Sequence, residues 1–271
     1  MASGRNIHGT LTLIPMAFVA ILPLFVHSSY NLAFGKQASQ STNYLGWYAN
    51  KAVDGIIGKD VLAHGEGSCS STNPIGPSEA WWRVDLQQIS RIKLIHITYR
   101  QLYPFRLSGF YLYVSNTTAV DNLQNTGHLC YHDDTKNPDL PSVNQYRYCP
   151  VDGIYVIFYN RRPADNGPKS NPHYSTIDAV VELCEVEVFG CPVNSFGPTC
   201  NGICHCGVGG CDPDTGICDV TGCQSGWMGL TCSNECERGT FGVDCSSTCH
   251  CSTAGCDRVT GSCTVPGCEA G

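Results

Sequence analysis

Nineteen cysteines and nine histidines are the residues of this 271-residue chain best suited to chemistry, and the spacing of the thiols selects which chemistry. Cys204-His205-Cys206 and Cys249-His250-Cys251 each place an imidazole between two thiols, a composition that can ligate zinc. The same cysteines belong to a longer order. Cys191, Cys200, Cys204, Cys206, Cys211, Cys218 and Cys223 recur 45 residues later as Cys236, Cys245, Cys249, Cys251, Cys256, Cys263 and Cys268. Zinc thiolates ordinarily come as Cys-x2–4-Cys pairs in reducing compartments. A unit of eight cysteines with almost no aliphatic run predicts disulfide staples in place of an apolar core, and hence an oxidising compartment. The eighth thiol, Cys232, would recur past Gly271, so the sequence stops inside a repeat and Cys268 lacks its partner.

The amino terminus agrees with secretion. Arg5 precedes an apolar stretch from Leu11 to Val26, followed by Ser28 and Ser29, so residues 1–28 read as a signal peptide. A membrane anchor is the alternative, and Thr12, Pro15 and Pro23 argue against it. No other segment approaches the ~18 apolar residues that a membrane span requires, which places the mature chain in the extracellular medium or on the outer face of the plasma membrane. The net charge of -7 is uneven: residues 30–190 carry 13 basic and 15 acidic side chains, residues 191–271 carry 2 and 8. No basic face is visible in these totals, so a nucleic-acid partner is not expected. Neither a nucleophile elbow, a zinc-protease helix motif nor a phosphate loop is present, and Gly65-Glu-Gly-Ser-Cys-Ser is too loose to count. The chain does not read as an enzyme. Asn116-Thr117-Thr118 is a glycosylation sequon just after a strand-like run.

The elements that would position any site are strands. Phe110, Leu112 and Val114 alternate with Tyr111, Tyr113 and Ser115; Ile154, Val156 and Phe158 alternate with Tyr155, Ile157 and Tyr159. Arg91–Thr98 reads similarly, and Leu183–Phe189 sets Cys184, Val186 and Val188 against Glu185 and Glu187. Each predicts a strand with one buried face, and residues 30–190 together predict an antiparallel sandwich or barrel. Cys69, Cys130, Cys149 and Cys184 within it allow three pairings.

Five ordered segments carry a resemblance: Asn31-Leu-Ala-Phe-Gly-Lys-Gln-Ala, Ala52-Val-Asp-Gly, Gly67-Ser-Cys, Trp81-Trp-Arg-Val-Asp-Leu and Leu183-Cys-Glu-Val-Glu-Val. In order and approximate spacing they resemble the F-type lectins, or fucolectins. That resemblance implies an eight-stranded, discoidin-like jelly-roll β-sandwich with the pairs Cys69–Cys184 and Cys130–Cys149. The first pair would close a loop of more than a hundred residues and contribute about 4–5 kcal/mol in the chain-entropy model. It also implies a structural calcium ion held by the side chains of Asp54 and Glu185 and the carbonyls of Lys51, Ile56, Ser68 and Cys184. Such a set supplies the oxygens a hard cation takes. Read without the resemblance, Asp54 is a turn former before Gly55 and Glu185 an exposed strand residue. Trp81-Trp-Arg-Val-Asp-Leu is the fold's own strand signature, in which Arg83 and Asp85 share a face and would satisfy each other or a neighbouring loop.

Fucose-binding members of that family read the sugar with a His, an Arg-x-Asp run and a second Arg, beside a disulfide between adjacent cysteines. Arg100 and Arg106 match the two arginines here, while Ser71 stands at the His position. Leu102 replaces the Asp, the interval between the arginines is one residue shorter, and Tyr103-Pro104 stands in place of the paired cysteines. Three readings stay open. The arginines bind a sugar with Tyr103 as stacking surface; they bind an anionic or sulfated glycan, since loss of the Asp leaves positive charge uncompensated; or they are solvated on a scaffold that has lost sugar binding. His64 and His96 are alternative imidazoles, but His64 precedes the expected position and His96 lies within a strand.

Cys204-His205-Cys206, Cys211–Cys218 and Gly226-Trp-Met-Gly-Leu-Thr-Cys232 resemble a laminin-type or multiple-EGF module of the sort found in scavenger and engulfment receptors. The resemblance implies the pairs Cys204–Cys211, Cys206–Cys218, Cys223–Cys232 and Cys236–Cys245, with Cys191–Cys200 closing a partial preceding unit and Cys249–Cys256 and Cys251–Cys263 opening the next. The organisation that follows is a sandwich over 30–190, a partial EGF-like unit over 191–203, a repeat over 204–248 and a truncated repeat over 249–271. The acidic and Asn-containing consensus of calcium-binding EGF units is missing, so the repeats read as a semi-rigid stalk open to protein partners. Together these resemblances imply a calcium-stabilised carbohydrate-binding extracellular protein with cell-surface or microbial glycans as partners. The alternative is a receptor or adhesion ectodomain whose lectin-like head has lost fucose binding. Thiol titration of the native protein is expected to find nearly all of the 19 cysteines blocked, and mostly free sulfhydryls would refute the stapled tail.

Overall fold

The computed structural model describes residues 30–57, 68–136, 138–162, 178–251 and 255–265; the signal-peptide stretch 1–28, His64, Gly65–Gly67 and Cys268 lie outside them. The head is an all-β sandwich. Two strands make both layers: β2, Glu79–Tyr99, and β5, Asn144–Arg161, pair antiparallel along most of their length. The first half of β2 also pairs with β1, Gln37–Gln40, and its second half with β6, Leu183–Pro192. β3, Tyr111–Ser115, lies between β5 and β4, Gly127–His132.

Register shifts between Asp85 and Ser90 and between Ile92 and Leu94 bend the long pair from one layer into the other. Gly153 pairs with Ser90 at this bend, where a Cβ would fall 2.2 Å from Val114 Cγ1. Only glycine fits there. Between the layers Trp82, Tyr99, Phe110, Phe158, Ile95, Ile97 and Leu183 are fully buried, and Phe110 stacks on Phe158 at 4.6 Å.

The expectation of one buried face per strand is corrected in all four strands: in β2 Ile95, His96, Ile97 and Thr98 are all buried, and in β5 Ile157 is buried like Val156 and Phe158. In β3, Leu112 and Val114 enter the main core, but Tyr113 is also buried and forms a second cluster with Ile157 and Leu123. A four-residue α-helix, α1, Leu123–Thr126, brings Leu123 over that outer face. In β6, Glu185 is as buried as Cys184 and Val186. Arg83 and Asp85 do not pair with each other: Arg83 donates to the Thr118 carbonyl and lies over the Trp81 and Tyr155 rings, while Asp85 accepts from the Gln87 amide at 2.7 Å.

Disulfides join Cys69 to Cys184 across 115 residues and Cys130 to Cys149 across 19. In the tail they join Cys191–Cys200, Cys204–Cys211, Cys206–Cys218, Cys223–Cys232, Cys236–Cys245, Cys249–Cys256 and Cys251–Cys263. The Cys206, Cys218 and Cys232 sulfurs lie within 4.8 Å of one another, but each is in a disulfide and offers no thiolate for zinc. Cystine and a single ring replace a core here: Cys204, Cys206 and Cys211 are buried against Phe196. Phe196 covers Gly216 and Phe241 covers Gly261, so the sequence repeat returns as a packing repeat. No helix among the described residues is long and apolar enough to cross a membrane.

Head and tail meet inside a strand. β6 runs past residue 190 to Cys191 and Pro192, which pair with Arg91 and Ser90. Arg91 then donates to both oxygens of Asp152 at 2.8 and 3.0 Å, to the Cys211 carbonyl at 3.3 Å, and to Asp219. Lys93 reaches Asp214 and, at 3.5 Å, Asp212. Gly210 passes so near that a Cβ would lie 3.0 Å from the Arg91 guanidinium. A cavity of about 490 Å³ remains at this junction, walled by Tyr148, Pro150 and Pro213 as well as the ion pairs.

Three tail aspartates thus hold the first tail unit on the head. These partly exposed ion pairs contribute on the order of 1 kcal/mol each, so the docking is separable from folding. In the double variant Arg91→Ala, Lys93→Ala the radius of gyration from small-angle scattering is expected to rise while the head's melting temperature changes little. A scattering profile identical to that of the wild type would refute ionic docking.

Candidate functional site

Two arginines converge at one end of the sandwich. Arg100 lies just past the end of β2, its amide donating to the Glu182 carbonyl at 3.2 Å. Arg106 closes a 3-10 turn, Pro104–Arg106, and its carbonyl accepts from Asn160 Nδ2 at 2.9 Å and from Arg162 at 3.3 Å. The Nη1 atoms of both arginines reach the same oxygen, Glu182 Oε1, at 2.6 and 3.0 Å. The Glu182 side chain is 1 % exposed, against 13 % and 20 % for the arginines. Arg100 lies 4.6 Å from the ring centroids of both Trp47 and Tyr103, and Arg106 lies 4.2 Å from that of Tyr103. Arg100 Nε and Glu182 Oε2 are buried without a hydrogen-bond partner among the described residues.

Several expectations change with this geometry. The positive charge that Leu102 leaves is halved, because Glu182 brings one carboxylate to the two guanidiniums from another strand end. Tyr103 is not an open stacking platform, because both guanidiniums lie against its ring. Ser71 is 1 % exposed and its hydroxyl donates to the Thr72 carbonyl at 3.0 Å, so that hydroxyl faces inward. Its backbone instead holds the loop of Trp47: the Ser71 amide donates to the Trp47 carbonyl at 3.0 Å, and its carbonyl accepts from the Tyr44 amide at 3.0 Å and Gln40 Nε2 at 2.8 Å. His96 is buried on β2, with Nδ1 on Glu187 at 2.7 Å and Nε2 on Asn144 at 2.8 Å, so neither ring nitrogen is left for a ligand. Asn116 is exposed in the turn after β3.

Trp47 and Glu182 escaped the reading of the sequence. Glu182 did leave a signal, since a carboxylate inside the apolar run Ala179-Val-Val-Glu-Leu183 must find a buried partner. Trp47 left none that distinguishes it from an ordinary loop aromatic. The fully buried Trp82 anchors this segment, its indole N–H donating to the Ala49 carbonyl at 2.9 Å between Trp47 and Asp54.

On the other side of that anchor lie the residues considered for a cation. Lys51 sits in the 3-10 turn Ala49–Ala52, and Asp54 follows it, accepting from the Ile56 amide at 2.9 Å as a turn former does. Glu185 is 1 % exposed, and neither carboxylate oxygen has a hydrogen-bond partner among the described residues. Burial, and then the charge of Asp54, push its carboxyl up from the usual 4.5 to about 7; the nearby Gly55 amide, short of good hydrogen-bond geometry, works in the opposite direction. Thr98 faces Glu185 and Tyr99 faces Leu183, so Cys184 is left outside the cross-strand register, and its bond to Cys69 draws Ser68 close. Two neighbouring carboxylates, one with both oxygens buried and unmet, fit a hard cation.

A family model described as NedA-like, galactose-binding domain matches residues 51–158. Fucolectin-3 of Anguilla japonica is 30 % identical over 173 residues, covering 58 % of this chain and 78 % of that protein. The crystal structure of an F-lectin (fucolectin) from the serum of striped bass, Morone saxatilis, is 24 % identical with a TM-score of 0.45; the match covers 60 % of this chain and 48 % of that one, so this chain spans about half of it. The lectin domain of lectinolysin, in a complex with Lewis B antigen, is 27 % identical with a TM-score of 0.45 over 60 % of this chain and 98 % of that domain.

Glu185 generates a prediction with a definite sign. Its folded value of about 7 lies above the unfolded value, so the protonated form favours the fold and that contribution is lost as pH rises from about 4.5 to 7. In excess chelator the wild type is expected to lose about 2 kcal/mol of stability across that window relative to Glu185→Gln. Parallel melting-temperature profiles for the two proteins would show that Glu185 is not strained in the fold.

Proposed function

The chain belongs to the fucolectin family, and from that premise we propose that its head is an extracellular carbohydrate-recognition module that binds a fucose-type glycan through Arg100 and Arg106. The observation that carries this is the convergence of two guanidiniums on one buried carboxylate, in an aromatic setting, at the loop end of a rigid sandwich. Guanidinium edges donate to ring hydroxyls, while Trp47 and the partly exposed Leu102 offer apolar surface to the hydrogen-bearing face of a sugar. Trp47, with one guanidinium against its ring where Tyr103 has two, takes the role first given to Tyr103, and Ser71 contributes by holding Trp47 in place. Such a site is a binding site and not a catalytic one. Its affinity per copy is modest and gains from multivalency.

Asp54 and Glu185, with the carbonyls of Lys51, Ile56, Ser68 and Cys184, would hold calcium, which when bound supplies positive charge and no chemistry. It would relieve the unmet Glu185 carboxylate and tie the Lys51–Ile56 loop to β6. The disulfide units form an EGF-like stalk in this reading, docked on the head by its first unit. Cell-surface or microbial glycans are the partners, and the cysteine content fits an oxidising, extracellular setting. A second reading has one observation in its favour: the hydroxyl at the imidazole position is turned inward, which suits a receptor or adhesion ectodomain that no longer reads fucose.

A glycan array on the secreted protein separates the two. Arg100→Ala and Arg106→Ala are each expected to lower binding to fucosylated glycans by about tenfold or more, the cost of a charged hydrogen bond. A blank array from well-folded protein would overturn the lectin reading and favour the receptor. Calcium is expected to raise the melting temperature of the wild type and not that of Glu185→Gln; equal responses would remove the ion from the account.

A further inference from the structure

Resting on the assignment of Arg100 and Arg106 to sugar binding, we infer that Glu182 is the positioning residue of the site and that it restricts the ligand to neutral glycans. Two guanidiniums with no carboxylate beside them would form an attractive seat for sulfate or a sialic acid carboxylate. Glu182 reduces that advantage. Its Oε1 accepts from both Nη1 atoms, at 2.6 and 3.0 Å, so one fixed anion cancels half of the arginine charge from within bonding distance.

Burial strengthens the effect. At 1 % exposure the Glu182 carboxylate is shielded from the solvent screening that weakens surface charges, so it offsets the arginines' pull on an incoming anion more strongly than an exposed carboxylate would. A neutral hydroxyl meets no such offset. The two unmet buried atoms are complementary: Arg100 Nε can only donate and Glu182 Oε2 can only accept. A water held beneath the ligand can accept from the first and donate to the second, which fixes the pair further.

Geometry supplies the positioning part. Because both Nη1 atoms share one oxygen, the distance between the two guanidiniums follows from a single side chain whose own backbone carbonyl also accepts the Arg100 amide at 3.2 Å. Trp47 and Tyr103 flank Arg100 and leave its edge as the part available to a ligand. Glu182 therefore sets where the donors stand, and the aromatic rings set how they face.

The test uses the secreted full chain, a neutral fucosylated oligosaccharide and the same oligosaccharide carrying a sulfate, with affinities from calorimetric titration. Wild type is expected to prefer the neutral probe by about tenfold, the scale of one charged contact. Glu182→Gln is expected to weaken the neutral probe about tenfold and to shift the preference toward the sulfated one, with Glu182→Asp recovering part of the neutral preference. That ratio is a readout that a loss of stability alone would not move. Equal ratios in wild type and Glu182→Gln, or a wild type that prefers the sulfated probe, would overturn the inference while leaving the lectin assignment intact. Binding of neither probe by folded wild type would overturn the lectin assignment, and this inference with it. Should Glu182→Gln fail to fold, the wild-type ratio compared with that of Glu182→Asp decides.

Discussion

The antiparallel register of β6 on β2 is the constraint from which the rest of this molecule follows. Within ten residues β6 carries Cys184, which ties it to Cys69, then the buried Glu185, then Cys191, where the disulfide tail begins. Glu182 immediately precedes it. A one-residue slip would turn every side chain of the strand to the opposite face, bringing Val186 and Val188 out of the core and moving Glu185 from beside Asp54. The site for a ligand, the residues suited to a cation and the attachment of the tail thus share one register. Buried β-branched residues of β2 and β6 hold it, and the Cys69–Cys184 bond limits the chain's freedom to adopt another.

Two buried carboxylates near that strand show how differently burial can be resolved. Glu182 is compensated by two arginines, a geometry in which each partner satisfies part of the other's desolvation. Glu185 has no such partner among the described residues, and its carboxyl titrates near neutrality because burial and Asp54 both disfavour its charge. A compensated pair of this kind rigidifies its surroundings. An uncompensated group stores unfavourable energy that a bound cation would release. The contrast is physical ground for assigning the two ends of the Trp47–Ile56 segment different roles, with the Trp82 indole fastened to Ala49 between them.

The tail obeys another economy. Its buried residues are largely half-cystines, with Phe196 and Phe241 repeating the same contact over a glycine at positive φ. Units stapled in this way need no large core, and their surface charge is free for other uses. Asp212, Asp214 and Asp219 use it to engage Arg91 and Lys93, so the acidic excess of the tail becomes a means of attachment.

Much of this was legible in the sequence because it is local or periodic. Strand alternation and turn chemistry announced the all-β head, and the 45-residue cysteine period announced a tail without an apolar core. Alternation misled along β2, β3, β5 and β6, where His96, Tyr113, Ile157 and Glu185 are buried on faces that looked solvated. What the order of residues could not disclose is which distant charges meet. Glu182 lies 82 residues from Arg100 and 76 from Arg106, and no spacing rule links them. Their meeting depends on where β2 ends, where β6 begins and how the 3-10 turn returns the chain, which only the assembled sandwich decides. Composition and period therefore determined what kind of molecule this is, while the cancellation of charge at its site, a matter of distance and dielectric, was settled in three dimensions.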